Sequence, residues 1–224
     1  MRRVYSSIAL GLLLAPAVAF AQDEARTVAG GGIKASGWMG VADNGADVNA
    51  SSLATMGDGL HVKTGPAVTY WNPANKASGD YTVKATFTEP KFQDLNDHPH
   101  PYGIMIGGND MGTPNASYVY CAVNGNGSFI VRGFGPKPFQ LNGRMGQQNA
   151  AVHKATAKGE KVTNEVAMSV KGDKVTCSMN GTEVASFNKA DVVAAGKLKS
   201  TDGVYGIRFA HNTEGHVAGL TITK

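Results

Sequence analysis

The sequence predicts an all-β protein, a sandwich of two antiparallel sheets carrying one short helix. Three observations carry that expectation. Runs with a two-residue apolar period recur along the chain, Tyr81 to Phe87 and Asn164 to Met179 being the clearest. Turn pairs punctuate these runs at sandwich spacing, among them Asn124-Gly125, Gly172-Asp173 and Asn180-Gly181. No long helical period and no convincing internal repeat interrupts the pattern.

Residues 1–21 read as a secretory signal peptide. Arg2 and Arg3 form its positive end, Ile8 to Leu14 its apolar run, and Ala19-Phe20-Ala21 its cleavage pattern before Gln22. That run is too short to span a bilayer, so membrane insertion is not expected and the mature chain is placed outside the cell or in the periplasm. Cleavage removes Arg2 and Arg3 and takes the formal charge from +4 to +2. No basic cluster survives that would make a footprint for nucleic acid. We therefore divide the chain into a signal peptide (1–21), a flexible lead-in (22–36) and one sandwich domain (37–224), a usual size for such a fold.

The lead-in is poor in apolar residues and contains Gly30-Gly31-Gly32. Asp43 to Asn49 (DNGADVN) then gathers oxygen side chains of the kind a hard cation takes. The spacing is not that of an EF-hand, and such clusters form turns; a turn without a cofactor is the reading, and calcium the alternative. Leu60 to Lys63 and Ala67 to Trp71 look like a strand pair joined around Gly65-Pro66. In the next strand Tyr81, Val83, Ala85 and Phe87 take the core face. A polar loop ends in Asn96-Asp97-His98-Pro99-His100-Pro101, after which Tyr102, Ile104 and Ile106 share one face of a strand.

Ala116 to Phe134 reads as one hairpin around Asn124-Gly125-Asn126-Gly127. A type I turn closed by a left-handed glycine suits this loop and pairs Asn124 with Ser128, Val123 with Phe129 and Cys121 with Val131. The opposite face carries Tyr118, Tyr120, Ala122, Ile130, Arg132 and Phe134, too aromatic for an ordinary wet face. Such a face suits a sheet that holds a ligand, or a strand buried between two layers. Gly135 to Gly159 has no sustained period. In the next hairpin, Gly172-Asp173 fits a type II′ turn and sets Val170 against Val175, Met168 against Cys177 and Val166 against Met179. Asn180-Gly181 leads into Thr182 to Phe187, and Asn188 caps a helix from Lys189 to Ala195 stopped by Gly196. Val204 to Ala210 and Val217 to Thr223 make a final hairpin.

Cys121 and Cys177 both fall on apolar strand faces. In an oxidising compartment they form a disulfide; otherwise they are two buried thiols acting as small apolar residues. Both readings stay open, because bridging depends on the Cα separation. His98 and His100 lie between prolines, and His211 and His216 lie on the final hairpin. Four imidazoles meeting at one rim would hold a metal; solvated loop histidines are the commoner outcome, and no metal is expected.

Several stretches together resemble a known domain type. They are Trp38 to Asp43 (WMGVAD), Gly79 to Val83 (GDYTV), Tyr102-Gly103-Ile104, Ser117 to Val123, the strand pair Val175 to Val184, and the closing Gly206-Ile207-Arg208 and Val217 to Ile222. The pattern is similar to the concanavalin A-like lectin and glucanase jelly rolls, especially laminin-G-like and 3-keto-disaccharide-hydrolase-type domains of secreted bacterial proteins. The resemblance implies a concave sheet that meets carbohydrate. By position that sheet includes Tyr118, Tyr120, Arg132 and Arg208, with His98, His100 and His211 as loop candidates. Aromatic rings stack on sugar faces, and arginine offers fixed donors to hydroxyls and carboxylates. One departure counts against hydrolysis: laminarinase-like members carry Glu-x-Asp-x-x-Glu on a strand, and no strand here does. The acids lie in turns (Asp43, Asp47, Asp97, Asp110, Asp173, Asp202) or at hairpin ends (Glu165, Glu183), whereas glycoside hydrolysis takes two flanking carboxylates. A glycan-binding or adhesion module is therefore the first expectation, and a sugar hydrolase the alternative.

Overall fold

The computed structural model describes residues 25–92, 100–135 and 137–224. Residues 1–21, read above as a signal peptide, and His98 lie outside the described residues. The N-terminal part supplies β1 (Gly32–Ile33), β2 (Met39–Ala42), β3 (Ser52–Met56), β4 (Gly59–Lys63) and β5 (Val68–Ala77). There follow β6 (Tyr81–Glu89), β7 (Tyr102–Asn109), β8 (Ser117–Asn124), β9 (Ser128–Phe134), β10 (Pro138–Gln140) and β11 (Gln147–Gln148). The last part holds β12 (Val162–Lys171), β13 (Lys174–Met179), β14 (Thr182–Asn188), α1 (Lys189–Val192), β15 (Gly203–Phe209) and β16 (Glu214–Thr223).

These strands form two curled sheets packed face to face. The first runs β1-β3-β4-β16-β6-β12-β13-β14; the second runs β10-β9-β8-β7-β15-β5-β2, with β11 also on β9. Among these strands pairing is antiparallel except between β1 and β3. Each strand turns its apolar set inward, so Tyr81, Val83, Ala85 and Phe87 of the first sheet meet Tyr102, Ile104, Ile106, Val119, Val123 and Ile207 of the second. Cys121 of β8 and Cys177 of β13, both fully buried, are joined across the sandwich by a disulfide with a Cα separation of 6.0 Å.

Local pattern sets register here. The pairs Val123–Phe129, Cys121–Val131, Val170–Val175, Met168–Cys177 and Val166–Met179 all occur. Gly127 supplies the left-handed residue (φ 88°) that closes the first turn, its N–H donating to the Asn124 carbonyl at 3.1 Å.

Four readings are corrected. β4 and β5 do not pair; β4 joins β3 and β16, while β5 joins β15 and β2 in the opposite sheet. The intervening Thr64-Gly65-Pro66 crosses the sandwich edge. Pro66 has no N–H for a ladder, the Gly65 N–H bonds the Ser51 hydroxyl at 3.0 Å, and the buried Thr64 hydroxyl donates to the Ala210 carbonyl at 2.5 Å. β15 and β16 likewise are not a hairpin but lie in different sheets; the turn between them is held against Thr64-Gly65, the Asn212 N–H donating to the Gly65 carbonyl and the Thr213 N–H to the Thr64 hydroxyl, each at 2.9 Å. The helix stops at Val192, because the β-branched Val193 turns extended (φ −91°, ψ 91°); Asn188 makes no cap bond and holds Lys174 and Asp191 instead. The glycine-rich lead-in gives β1 at its end, where Ile33 packs on the core and Ala35 is buried.

Candidate functional site

The outer face of the second sheet is the candidate site, and its chemistry follows from two cross-strand rows. One reads Met39, Trp71, Gly206, Met105, Tyr120, Arg132 and Gln140. The next reads Val41, Thr69, Arg208, Gly103, Ala122 and Ile130. In the second row Gly103 and Ala122 follow Arg208, so no bulky side chain stands between that arginine and β8. Its guanidinium accordingly reaches the Tyr120 and Phe134 rings, 5.1 and 5.2 Å from their centroids.

Arg208 is the buried electrostatic centre. Nη1 donates to Asp43 Oδ1 at 2.9 Å and to the Thr69 hydroxyl at 2.8 Å, and Nη2 donates to Asp43 Oδ2. The Thr69 hydroxyl donates in turn to the Tyr118 phenol oxygen at 2.9 Å. Burial works against the arginine's charge, but the facing Tyr118, Asp43 and Tyr120 outweigh it and hold its pKa above the ordinary value. Burial pushes the Tyr118 phenol up to about 12, with Arg208 and the Thr69 bond opposing.

The face divides into two halves. Trp71, Met105, Tyr118, Tyr120, Ala122 and Ile130 form a second small core, with Met111 from the loop after β7 packed against it. Tyr118 is 3% exposed there, so it supports the site from beneath. The other half is open. A hollow of about 270 Å³ is lined by Asp43, Tyr120, Ile130, Arg132, Arg208, His100 and His211 among others. A second, of about 370 Å³, is lined by Asn126, Ser128, Arg144, Met145 and Gln148 among others, and shares Pro101, Ile130 and Arg132 with the first. The two hollows thus make one groove with Arg132 at its middle.

No protein-family model matches the chain, and no curated protein matches it in sequence. Solved structures do match in shape. The carbohydrate-binding module CBM66 from Bacillus subtilis aligns with a TM-score of 0.58 at 10% identity, over 87% of this chain and 99% of that one. An endo-β-1,3-glucanase from Pyrococcus furiosus aligns at 0.52 and 14% identity, over 83% and 87% of the two chains. A glycoside hydrolase family 16 endo-glucanase from Bacteroides ovatus aligns at 0.53 and 12% identity, over 83% and 94%. The fold is a concanavalin A-like jelly roll.

The jelly roll brings Tyr120, Arg132, Arg208, His100 and His211 to one groove. It does not gather the described histidines. His100 and His211 meet at the rim, ring centroids 4.2 Å apart, with the His100 Nδ1–H donating to the His211 carbonyl. His216 is on β16 in the other sheet, its ring 5.0 Å from that of His61. Among the described residues no three His, Cys, Asp or Glu side chains form a metal-ligand group. Asp47 accepts the Asn49 N–H at 2.9 Å, capping a short turn. Sequence reasoning missed Asp43 as the arginine's counterion and missed Asn126, Ser128, Arg144 and Gln148 as groove wall. The alternation Ser128, Ile130, Arg132 along β9 was a usable signal for the serine; the loop carrying Arg144 and Gln148 had none.

Proposed function

We propose that this chain is an exported glycan-binding module whose ligand lies along the groove centred on Arg132. The groove itself carries the reading: two joined hollows on one jelly-roll face, walled by amide, hydroxyl and guanidinium groups over a floor of Ile130 and the Tyr120 ring. Few convergent polar groups over an apolar floor are what a sugar needs, since each ring presents hydroxyls at its edge and C–H bonds on its face. The likeness to CBM66 and to two endo-glucanases supports the choice of ligand class. The signal-peptide pattern at residues 1–21 supports export.

Binding is favoured over hydrolysis by one observation. Asp43 is the single carboxylate among the described groove-lining residues, and Arg208 holds both its oxygens. Glycosidases of the usual kind take two carboxylates on opposite sides of the bond.

A glycan array read with the mature protein tests the proposal, with reducing ends assayed on every hit. The expected result is binding without turnover, weakened about tenfold to a hundredfold by Arg132→Ala. Steady release of reducing ends would replace the module with an enzyme. Silence on every glycan would overturn both readings.

A further inference from the structure

The two arginines predicted on this face differ in one respect that bears on the ligand. Arg208 has a counterion in Asp43. Arg132 has none. Its Nη2 donates to the Arg144 backbone carbonyl, and among the described residues its solvent-shielded Nε has no acceptor and no carboxylate pairs with it. Arg144 lies beside it on the same hollow, exposed and likewise without an ion pair among the described residues. The remaining described wall of that hollow is neutral: Asn124, Asn126, Ser128 and Gln148 with apolar neighbours.

A half-buried guanidinium is costly to leave uncompensated, and in this fold the compensation at Arg208 shows what a satisfied arginine looks like. The planar fork of Arg132 matches a carboxylate better than a single hydroxyl. We propose that the half of the groove running from Arg132 to Arg144 takes the carboxylate of an acidic sugar, so that the preferred glycan is a uronate-containing oligosaccharide. Asn126, Ser128 and Gln148 line the same hollow and offer donors and acceptors to the neighbouring hydroxyls. The proposal rests on the glycan-binding reading above and narrows it to one chemical class.

The test measures affinity for a panel of uronate oligosaccharides, each paired with its carboxyl-reduced, neutral counterpart. The expected result is a preference of about tenfold or more for the acidic member, the size of one charge-assisted hydrogen bond. That preference should shrink as salt rises. The ratio should fall toward one in Arg132→Gln. It should fall in part in Arg144→Gln, whose exposed side chain leaves folding undisturbed. Equal affinity within each pair overturns the acidic preference while leaving glycan binding intact. An unchanged ratio in both variants does the same. Failure of both members of every pair, in a protein that is also silent on the glycan array, sinks the glycan reading itself. Poly-glutamate binding as tightly as the best uronate would mark a general anion site and overturn the sugar assignment.

Discussion

Asp43 and Arg208 stand 165 residues apart in the chain and meet as a two-point ion pair, with Nη1 donating to Oδ1 at 2.9 Å and Nη2 to Oδ2. The pair ties the turn after β2 to the middle of the second sheet and fixes one end of the groove. Its arginine is 8% exposed and its aspartate 26% by side chain. Removing one partner leaves a buried charge alone, a loss of about 3–5 kcal/mol for a fully buried pair. With Asp43 partly wet, Asp43→Asn should fall at or below the lower end of that range in urea unfolding. Asp43→Asn with Arg208→Met should lose less than Asp43→Asn alone. A double variant weaker than the single would show that the ion pair is not what the arginine needs.

The disulfide closes a separation of 56 residues and crosses the core. On the loop-entropy account such a crosslink stabilises the fold by about 4 kcal/mol. Intact protein should resist alkylation in the absence of reductant, and reduction should lower its melting temperature. Labelling of both thiols in the folded, unreduced protein would contradict the bridge.

The buried phenols make an alkaline prediction. Burial raises Tyr70, Tyr81, Tyr102 and Tyr118 above the ordinary tyrosine value of 10.0, with Glu89 adding to the effect at Tyr102. A raised folded pKa means that the folded state keeps the proton that the unfolded chain releases. The stability these groups contribute is full below about pH 10 and is lost as pH rises from there, for Tyr118 through about 12. Absorbance at 295 nm should show their ionisation delayed and then abrupt, coinciding with loss of the far-UV circular dichroism of the sheets. A smooth titration centred near 10 with the fold intact would contradict their burial.

Where an element could be read from sequence, its neighbours in the chain determine it. Val166, Met168 and Val170 alternate, the Gly172-Asp173 turn sets the count, and the register of β12 on β13 follows. The same holds for Cys121 against Val131. Alternation does not say which of two sheets a strand joins, because either has an inward apolar face. That is why β4 with β5, and β15 with β16, looked like hairpins. The site was half legible for the same reason. Tyr118, Tyr120, Arg132 and Arg208 share a face because period two puts them there. Asp43 joins them only through the β2–β5 pairing, and Arg144 through a loop held by β10 and β11 on β9. The sequence also left open whether the aromatic face was a ligand platform or an interior; it is a small core at Tyr118 and an open groove at Arg132.

Core and groove should separate under mutation. Val131 is fully buried against the first sheet, one residue before Arg132 on the opposite face. Val131→Ala removes two methyl groups from a packed site and should cost about 1–3 kcal/mol of stability, read as a lower urea midpoint. Ligand affinity of the folded fraction should stay at the wild-type level. Lost affinity with unchanged stability would mean the two faces were assigned the wrong way round.

The central claim is that a glycan occupies the groove on the outer face of the second sheet. The most direct measurement is an amide chemical-shift map of the isotope-labelled protein, residues 22–224, titrated with the best ligand from the array. The account predicts saturable shifts concentrated at Tyr120, Ser128, Ile130, Arg132, Arg144 and Gln148, with the outer face of the first sheet around His61 and His216 unmoved. Shifts centred on that first sheet, or none at saturating ligand, would contradict it.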